Sequence, residues 1–294
     1  MSDRVEPVLR IPTILGEGPF WSVDEQALYW LDIFRPTINR YDPATGSNEA
    51  VALPGPIYAA GLRAGGGFVA AMESGFATLS RGFEMEVVAD PNRGLAVNFN
   101  DGKVDRRGRF WSGTMARDWE SPIGTLFRLD PDGSVHAMED GIVLSNGLGW
   151  SPDDAVMYHT DFKHRTIYAY DFDADSGAVS GRRPFIVLDE SDGCPDGLTV
   201  DREGCLWVAH WDGWCVTRHD ERGREVLRLD FPVPRPTCPA FGGPDMSVLY
   251  VTSATMHLTE AELAEAPLSG ALFAVETGTR GVPEPRFGEA SSAG

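Results

Sequence analysis

Basic residues are scarce in this sequence, cysteines are few, and helix signals are almost missing; each shortage narrows what the chain can be. Lysine and arginine together number 25 against 44 aspartates and glutamates, a formal charge of -19. So acidic a surface repels phosphate backbones and anionic bilayers alike, which argues against nucleic acid and membrane as partners. Small neutral or cationic ligands and metal cations remain. No apolar run approaches the roughly 18 residues that would span a bilayer. The N-terminal MSDRVEPVLRIP also lacks the apolar stretch of a signal peptide, so a cytoplasmic protein is expected. The four cysteines, Cys194, Cys205, Cys215 and Cys238, form neither a C-x-x-C pair nor a zinc-ribbon spacing, which points to reduced, partly buried thiols. A G-x-S-x-G elbow is missing, which disfavours a serine esterase, and so is a phosphate-binding loop.

What is present is a repeat. A short apolar pair preceded by a turn recurs in DEQALYW (24–30), RAGGGFV (63–69), DRRGRFW (105–111), DDAVMY (153–158), DREGCLW (201–207) and DMSVLY (245–250). The spacing is roughly 40 to 49 residues, close to one blade of a β-propeller, and predicts six blades. A second strand-like echo follows in each unit: INRYD (38–42), ATLS (77–80), LFRLD (126–130), IYAYD (167–171), VTRHD (216–220) and LFAVE (272–276). These segments are rich in β-branched and aromatic residues and are separated by Gly, Pro, Asp and Asn turns, as an all-β array requires. Only LTEAELAEA (258–266) reads as a short helix in a loop. No linker divides the chain, so residues 1–294 are expected to form a single all-β, six-bladed propeller, with a frayed polar tail after about 278. The spare strand EPVLRI (6–11) is positioned to close the ring as the outer strand of the last blade.

Register then singles out one position per blade. Five residues before the Ser or Asp that opens each turn stand Glu17, Asn100, Asn146 and Asp196; Cys238 and Ile57 or Tyr58 occupy it in the remaining two repeats. Equivalent positions opening the innermost strands converge on the central channel, so four oxygen-bearing groups are predicted to meet at its mouth. Two carboxylates and two amides in a partly desolvated channel are costly unless a cation offsets the repulsion of Glu17 and Asp196. An all-oxygen set suits Ca²⁺, Mg²⁺ or Mn²⁺, with Zn²⁺ and Fe²⁺ still open. Glycines 18, 102, 147 and 197, close behind these residues, suit tight turns or close backbone approach. Any one Asn-Gly or Asp-Gly pair is also a common turn; the phase match across four repeats favours a site.

These residues lie in stretches that resemble the senescence marker protein, gluconolactonase and luciferin-regenerating enzyme family of six-bladed propellers: LGEGPFW (15–21), NFNDGKVDRRGRFWSGTM (98–115), SNGLGWSPD (145–153), PDGLTVDREGCLWVA (195–209) and FGGPDMSVLYVTSA (241–254). The resemblance implies a metal-dependent lactonase acting on sugar lactones, with Glu17, Asn146 and Asp196 as metal ligands, Asp196 also as general base, and Asn100 contacting substrate. Two positions depart from the family pattern. Asn98 stands where members often carry an arginine, which makes it a candidate substrate contact, and where mammalian-type members carry a glutamate GTMARDWE offers Arg117, Asp118 and Glu120, with Asp118 at the matching position.

On this reading the metal polarises the lactone carbonyl and acidifies water, while Asn98 and Asn100 orient the substrate without adding charge. Tyr58, Trp119 and Trp211 could stack on a sugar face or simply pack. His159 and His210 could face the channel as acid or ligand, or be hydrogen-bonded strand histidines. The alternatives to a sugar lactonase are a broader esterase or phosphotriesterase and a non-catalytic calcium-binding propeller. A monomer or weak oligomer is expected.

Overall fold

A computed structural model of the chain describes residues 5–289; residues 1–4 and 290–294, the ends of the N-terminal segment and of the polar tail, lie outside the described residues. Six four-stranded antiparallel sheets account for nearly all of the regular structure, and their topology is that of a six-bladed β-propeller. The chain divides into two compact units of three blades each, one made of residues 1–54 and 188–283, the other of residues 55–187 and 284–294.

In the first unit, blade one runs through Gly16–Ser22, Ala27–Asp32, Thr37–Asp42 and Ser47–Ala52. Blade five comprises Cys194–Val200, Leu206–Trp211, Cys215–His219 and Glu225–Asp230. Blade six comprises Pro236–Gly242, Val248–Ser253 and Leu272–Glu276, and its fourth strand is Glu6–Leu9 from the start of the chain, paired antiparallel with Leu272–Glu276. The closure expected of EPVLRI is therefore present. Trp21, Trp207, Phe241, Tyr250 and Phe273 anchor the apolar core of this unit, with Trp21 stacked on Tyr250 at 5.8 Å.

The second unit contains blade two, Ile57–Leu62, Phe68–Met72, Gly75–Leu79 and Met85–Ala89. Blade three is Val97–Val104, Phe110–Ala116, Gly124–Leu129 and Val135–Ile142. Blade four is Ser145–Trp150, Val156–Asp161, Thr166–Asp173 and Ala178–Val187. Phe76 links two of these blades, its ring 4.7 Å from Phe99 and 5.9 Å from Phe110.

The recurring sequence stretches are the second and third strands, and the turn before each second strand has a physical reason to recur. In blade five Asp201 accepts the N–H groups of Glu203 and Cys205 and the indole N–H of Trp207 at 3.0 Å. In blade three Asp105 does the same for Arg107, Arg109 and Trp111. Each aspartate satisfies the turn's orphan donors and clamps the tryptophan of the next strand. The expected helix is Glu260–Glu265, opened by a reciprocal capping box between Thr259 and Glu262.

The tail departs from expectation. Residues 279–289 are packed: Gly281 bridges to Asp201 in the first unit, and in the second Phe287 is buried and bridges to Arg63. A buried phenylalanine and a Lys103–Glu284 ion pair at 3.4 Å hold a segment whose composition reads as polar and free.

Candidate metal and substrate site

All six inner strands change register against their neighbours near their beginnings: between Glu17 and Phe20, Ile57 and Ala59, Phe99 and Gly102, Ser145 and Leu148, Pro195 and Leu198, and Pro236 and Pro239. A bulge of this kind breaks the alternation of the strand and re-aims a side chain. Asn100, Asn146 and Asp196 sit inside the shifted segments and Glu17 borders its own, so the position singled out by spacing is a shared backbone irregularity.

In the first unit both carboxylates are buried, Glu17 at 7 % and Asp196 at 2 % exposure. Gly18 accepts a left-handed φ of 51° and donates its N–H to Glu17 Oε2 at 3.0 Å. The inner strand of blade six abuts both residues' strands: Thr237 donates to the Gly16 carbonyl at 2.5 Å, and a Cβ on Gly197 would meet Cys238 Sγ at 2.4 Å. Close approach at Gly197 thus explains a glycine directly behind Asp196.

In the second unit Asn100 Nδ2 donates to the Ser145 carbonyl at 2.7 Å, joining blades three and four next to Asn146, which is 4 % exposed. Asn98, two residues earlier on the same strand, accepts from Arg117 Nε at 3.1 Å. Asp118 lies in the exposed loop after Phe110–Ala116; its oxygens accept from the backbone of Glu120 and Ser121 and from the Ser121 hydroxyl. Those bonds hold its carboxyl down at about 2, so it is ionised throughout the useful pH range. Tyr58 is buried on the inner strand of blade two, and burial with Glu73 nearby pushes its phenol up. Trp119 adopts a positive φ of 63°, and Arg235 lies over the ring of Trp211 at 4.8 Å.

The histidines resolve into the packed alternative. His159 is hydrogen-bonded to Ser145 Oγ at 2.8 Å; His210 to the Asp192 carbonyl at 2.9 Å and to Thr217 Oγ1 at 2.7 Å. Burial pushes each imidazole down to about 4, so both are neutral. Both lie within second strands, Val156–Asp161 and Leu206–Trp211.

Spacing gave no warning of Asp101, a buried carboxyl beside Asn100 whose oxygen accepts from the Gly102 N–H at 2.7 Å. Burial pushes it up and Lys103 pulls it back. Nor did it mark Arg117. A different cluster, Asp201, Glu203 and Cys205, gathers possible ligand atoms within 4.8 Å of one another. Arg218 already pairs with both of its carboxylates, at 2.8 and 2.5 Å, so a cation has no electrostatic reason to bind there.

By their chemistry Glu17 and Asp196 of the first unit, two carboxylates each more than nine-tenths buried, suit a hard divalent ion, and Asn146 of the second unit is a buried oxygen donor of the same hard kind. Among the described residues no helix is long and apolar enough to cross a membrane.

Comparison with known proteins gives the chain's relatives. The 6-deoxy-6-sulfogluconolactonase of Pseudomonas putida is 37% identical over 98% of this chain and 99% of its own length. The pentonolactonase of Haloferax volcanii is 39% identical over 92% of this chain and 93% of its own. Among solved structures, a calcium-binding protein, regucalcin, from Agrobacterium tumefaciens superposes with a TM-score of 0.93 at 28% identity, covering 97% of each chain. Residues 15–255 match the family described as SMP-30/Gluconolactonase/LRE-like region, and the chain belongs to that family.

Proposed function

We propose that the protein is a metal-dependent hydrolase that opens the ring of sugar lactones to the corresponding aldonic acids. The observation that carries this reading is the recurrence of a buried oxygen donor at the inner-strand register shift of blades one, four and five, with Asn100 at the same place in blade three. Glu17, Asn146 and Asp196 hold the ion. The chemistry a bound divalent cation supplies is Lewis-acid polarisation of the ester carbonyl and stabilisation of the oxyanion that develops on it. Calcium is the ion favoured by the nature of the similar structure, regucalcin, and oxygen donors also accept manganese or magnesium.

The chain's own residues do the rest. Asp196 takes the proton of the attacking water on a carboxylate oxygen, a role that a buried acid can fill when one oxygen faces the substrate side. Asn100, held by the Ser145 carbonyl, hydrogen-bonds ring oxygens and hydroxyls, fixing the ester without adding charge, and Asn98 stands two residues before it on the same strand. Asp118 keeps the loop carrying Trp119 in shape and presents its charged edge to substrate hydroxyls. The four cysteines, none in a disulfide among the described residues, fit a reducing compartment, the cytoplasm.

The test is proton release over a panel of pentonolactones and hexonolactones, with chelator and with calcium, manganese, magnesium or zinc restored. Turnover that chelator stops and one of these ions restores is the expected result. A protein that opens no lactone with any ion is not a lactonase.

A further inference from the structure

Arg117 is the first residue beyond the second strand of blade three, and its N–H bonds to the Ala96 carbonyl at 2.9 Å. Asn98 pairs with Met115 across the two strands, so Arg117 and Asn98 are diagonal neighbours within reach of a long side chain. The Arg117 Nε donates to Asn98 Oδ1 at 3.1 Å, while Nη2 stands 3.8 Å from Glu73, beyond hydrogen-bonding distance. The Arg117 side chain is 54% exposed and that of Glu73 63%, so this ion pair is weak and easily exchanged.

Other arginines of the protein are engaged differently. Arg218 bridges two carboxylates, and Arg128 binds Asp130 together with the carbonyls of Ser176 and Gly177. Those guanidiniums are structural clamps. Arg117 is instead steadied through its Nε by a neutral amide, and the ion pair at 3.8 Å between its Nη2 and the exposed Glu73 leaves the rest of a half-exposed guanidinium able to take another acceptor. Asn100 lies two positions along from Asn98 on the same strand, with Asn146 following the carbonyl that Asn100 binds. Arg117 thus places a half-exposed cation at the end of the strand pair that carries Asn98 and Asn100, in a chain that is otherwise strongly acidic.

A guanidinium held at one nitrogen and open along its Nη edge recognises oxygen acceptors in a fixed direction. We infer that Arg117 is a specificity-determining substrate contact that binds the hydroxylated exocyclic carbons of the lactone, and that Asn98 is the positioning residue that aims it. The inference rests on the lactonase reading above and names the part of the substrate that reading leaves unassigned.

The experiment compares kcat/KM for a hexonolactone with that for γ-butyrolactone, which has the ring ester and no hydroxylated tail, in the metal-loaded full-length protein. The wild type should prefer the hexonolactone, and Arg117→Met should cut that preference by about tenfold or more, the worth of a hydrogen bond to a charged donor, mainly through KM. Asn98→Ala should cut it less. The double variant should match Arg117→Met alone, because Asn98 acts only through the guanidinium. Wild type that hydrolyses both lactones while Arg117→Met keeps its preference overturns the inference and leaves the lactonase reading intact, as does strict additivity of the two substitutions. Wild type that opens neither lactone overturns both.

Discussion

The two compact units place different chemistry at the same backbone irregularity. In the unit of blades one, five and six, the inner-strand shift carries carboxylates, Glu17 and Asp196; in the unit of blades two, three and four it carries amides, Asn100 and Asn146. The strand irregularity is common to both and the side chains differ, the second unit adding one buried carboxyl of its own, Asp101, beside Asn100 and under the influence of Lys103. Two buried carboxylates create a demand for a cation, whereas buried amides hydrogen-bond without adding to the repulsion. Under the proposed function, charge and proton chemistry fall to the first unit and orientation to the second.

The largest effect should come from the carboxylate side. Asp196→Asn is expected to lower kcat by about a hundredfold or more, through lost proton transfer and weakened metal binding. Glu17→Gln should lower activity through metal affinity, so that excess ion restores part of it. Steady-state rates across a metal titration distinguish the two, and full activity of Asp196→Asn at saturating metal would remove Asp196 from both roles.

A feature the units share gives the next largest effect. His159 in one and His210 in the other are buried and neutral, with folded-state pKa values of about 4 against 6.5 when exposed. Between those values the unfolded chain binds protons that the folded chain refuses, so stability is full above about pH 7, falls as pH drops through 6.5, and stops falling from this cause below about 4. Each histidine should contribute a loss on the order of 3 kcal/mol across that window. Urea unfolding at stepped pH with chelator present measures it, and His159→Asn and His210→Asn should each flatten the slope. An unchanged slope in both variants would show that other groups govern acid unfolding.

A third contrast is structural. Removing residues 1–12 takes the outer strand from blade six, in the unit that carries the carboxylates, and should lower the melting temperature by about 5 °C or more. Amide exchange should quicken first in Leu272–Glu276, the strand left at the edge. The smallest effect is expected on the amide side: Asn100→Ala should lower kcat/KM by about tenfold while leaving metal affinity in place. Loss of metal in that variant would move Asn100 into the ligand set and blur the division between the units.

Strands with an apolar rhythm were readable from sequence and strands without one were not. Second and third strands are buried on both faces, as in Phe68–Met72, and their apolar pairs stand out. Fourth strands such as Ser47–Ala52, Met85–Ala89 and Ala178–Val187 lie at exposed edges, so nothing in their composition separates them from loops. Glu17, Asn100, Asn146 and Asp196 could be singled out because a backbone irregularity recurs at fixed distance from a turn. Arg117 could be named in GTMARDWE but not tied to Asn98, because that tie depends on a diagonal cross-strand contact rather than on spacing. The packed tail was hidden for a related reason: Phe287 is one apolar residue in a polar stretch, and its burial is decided by the surface that receives it.

The central claim, one ion held by Glu17, Asn146 and Asp196 and required for lactone opening, is tested most directly by titrating metal into chelator-stripped protein while following proton release from a sugar lactone. Activity should rise to a plateau at one ion per chain in the wild type and fail to rise at the same stoichiometry in Asp196→Asn. Activity that is already complete in stripped protein, or that rises identically in Asp196→Asn, would contradict it.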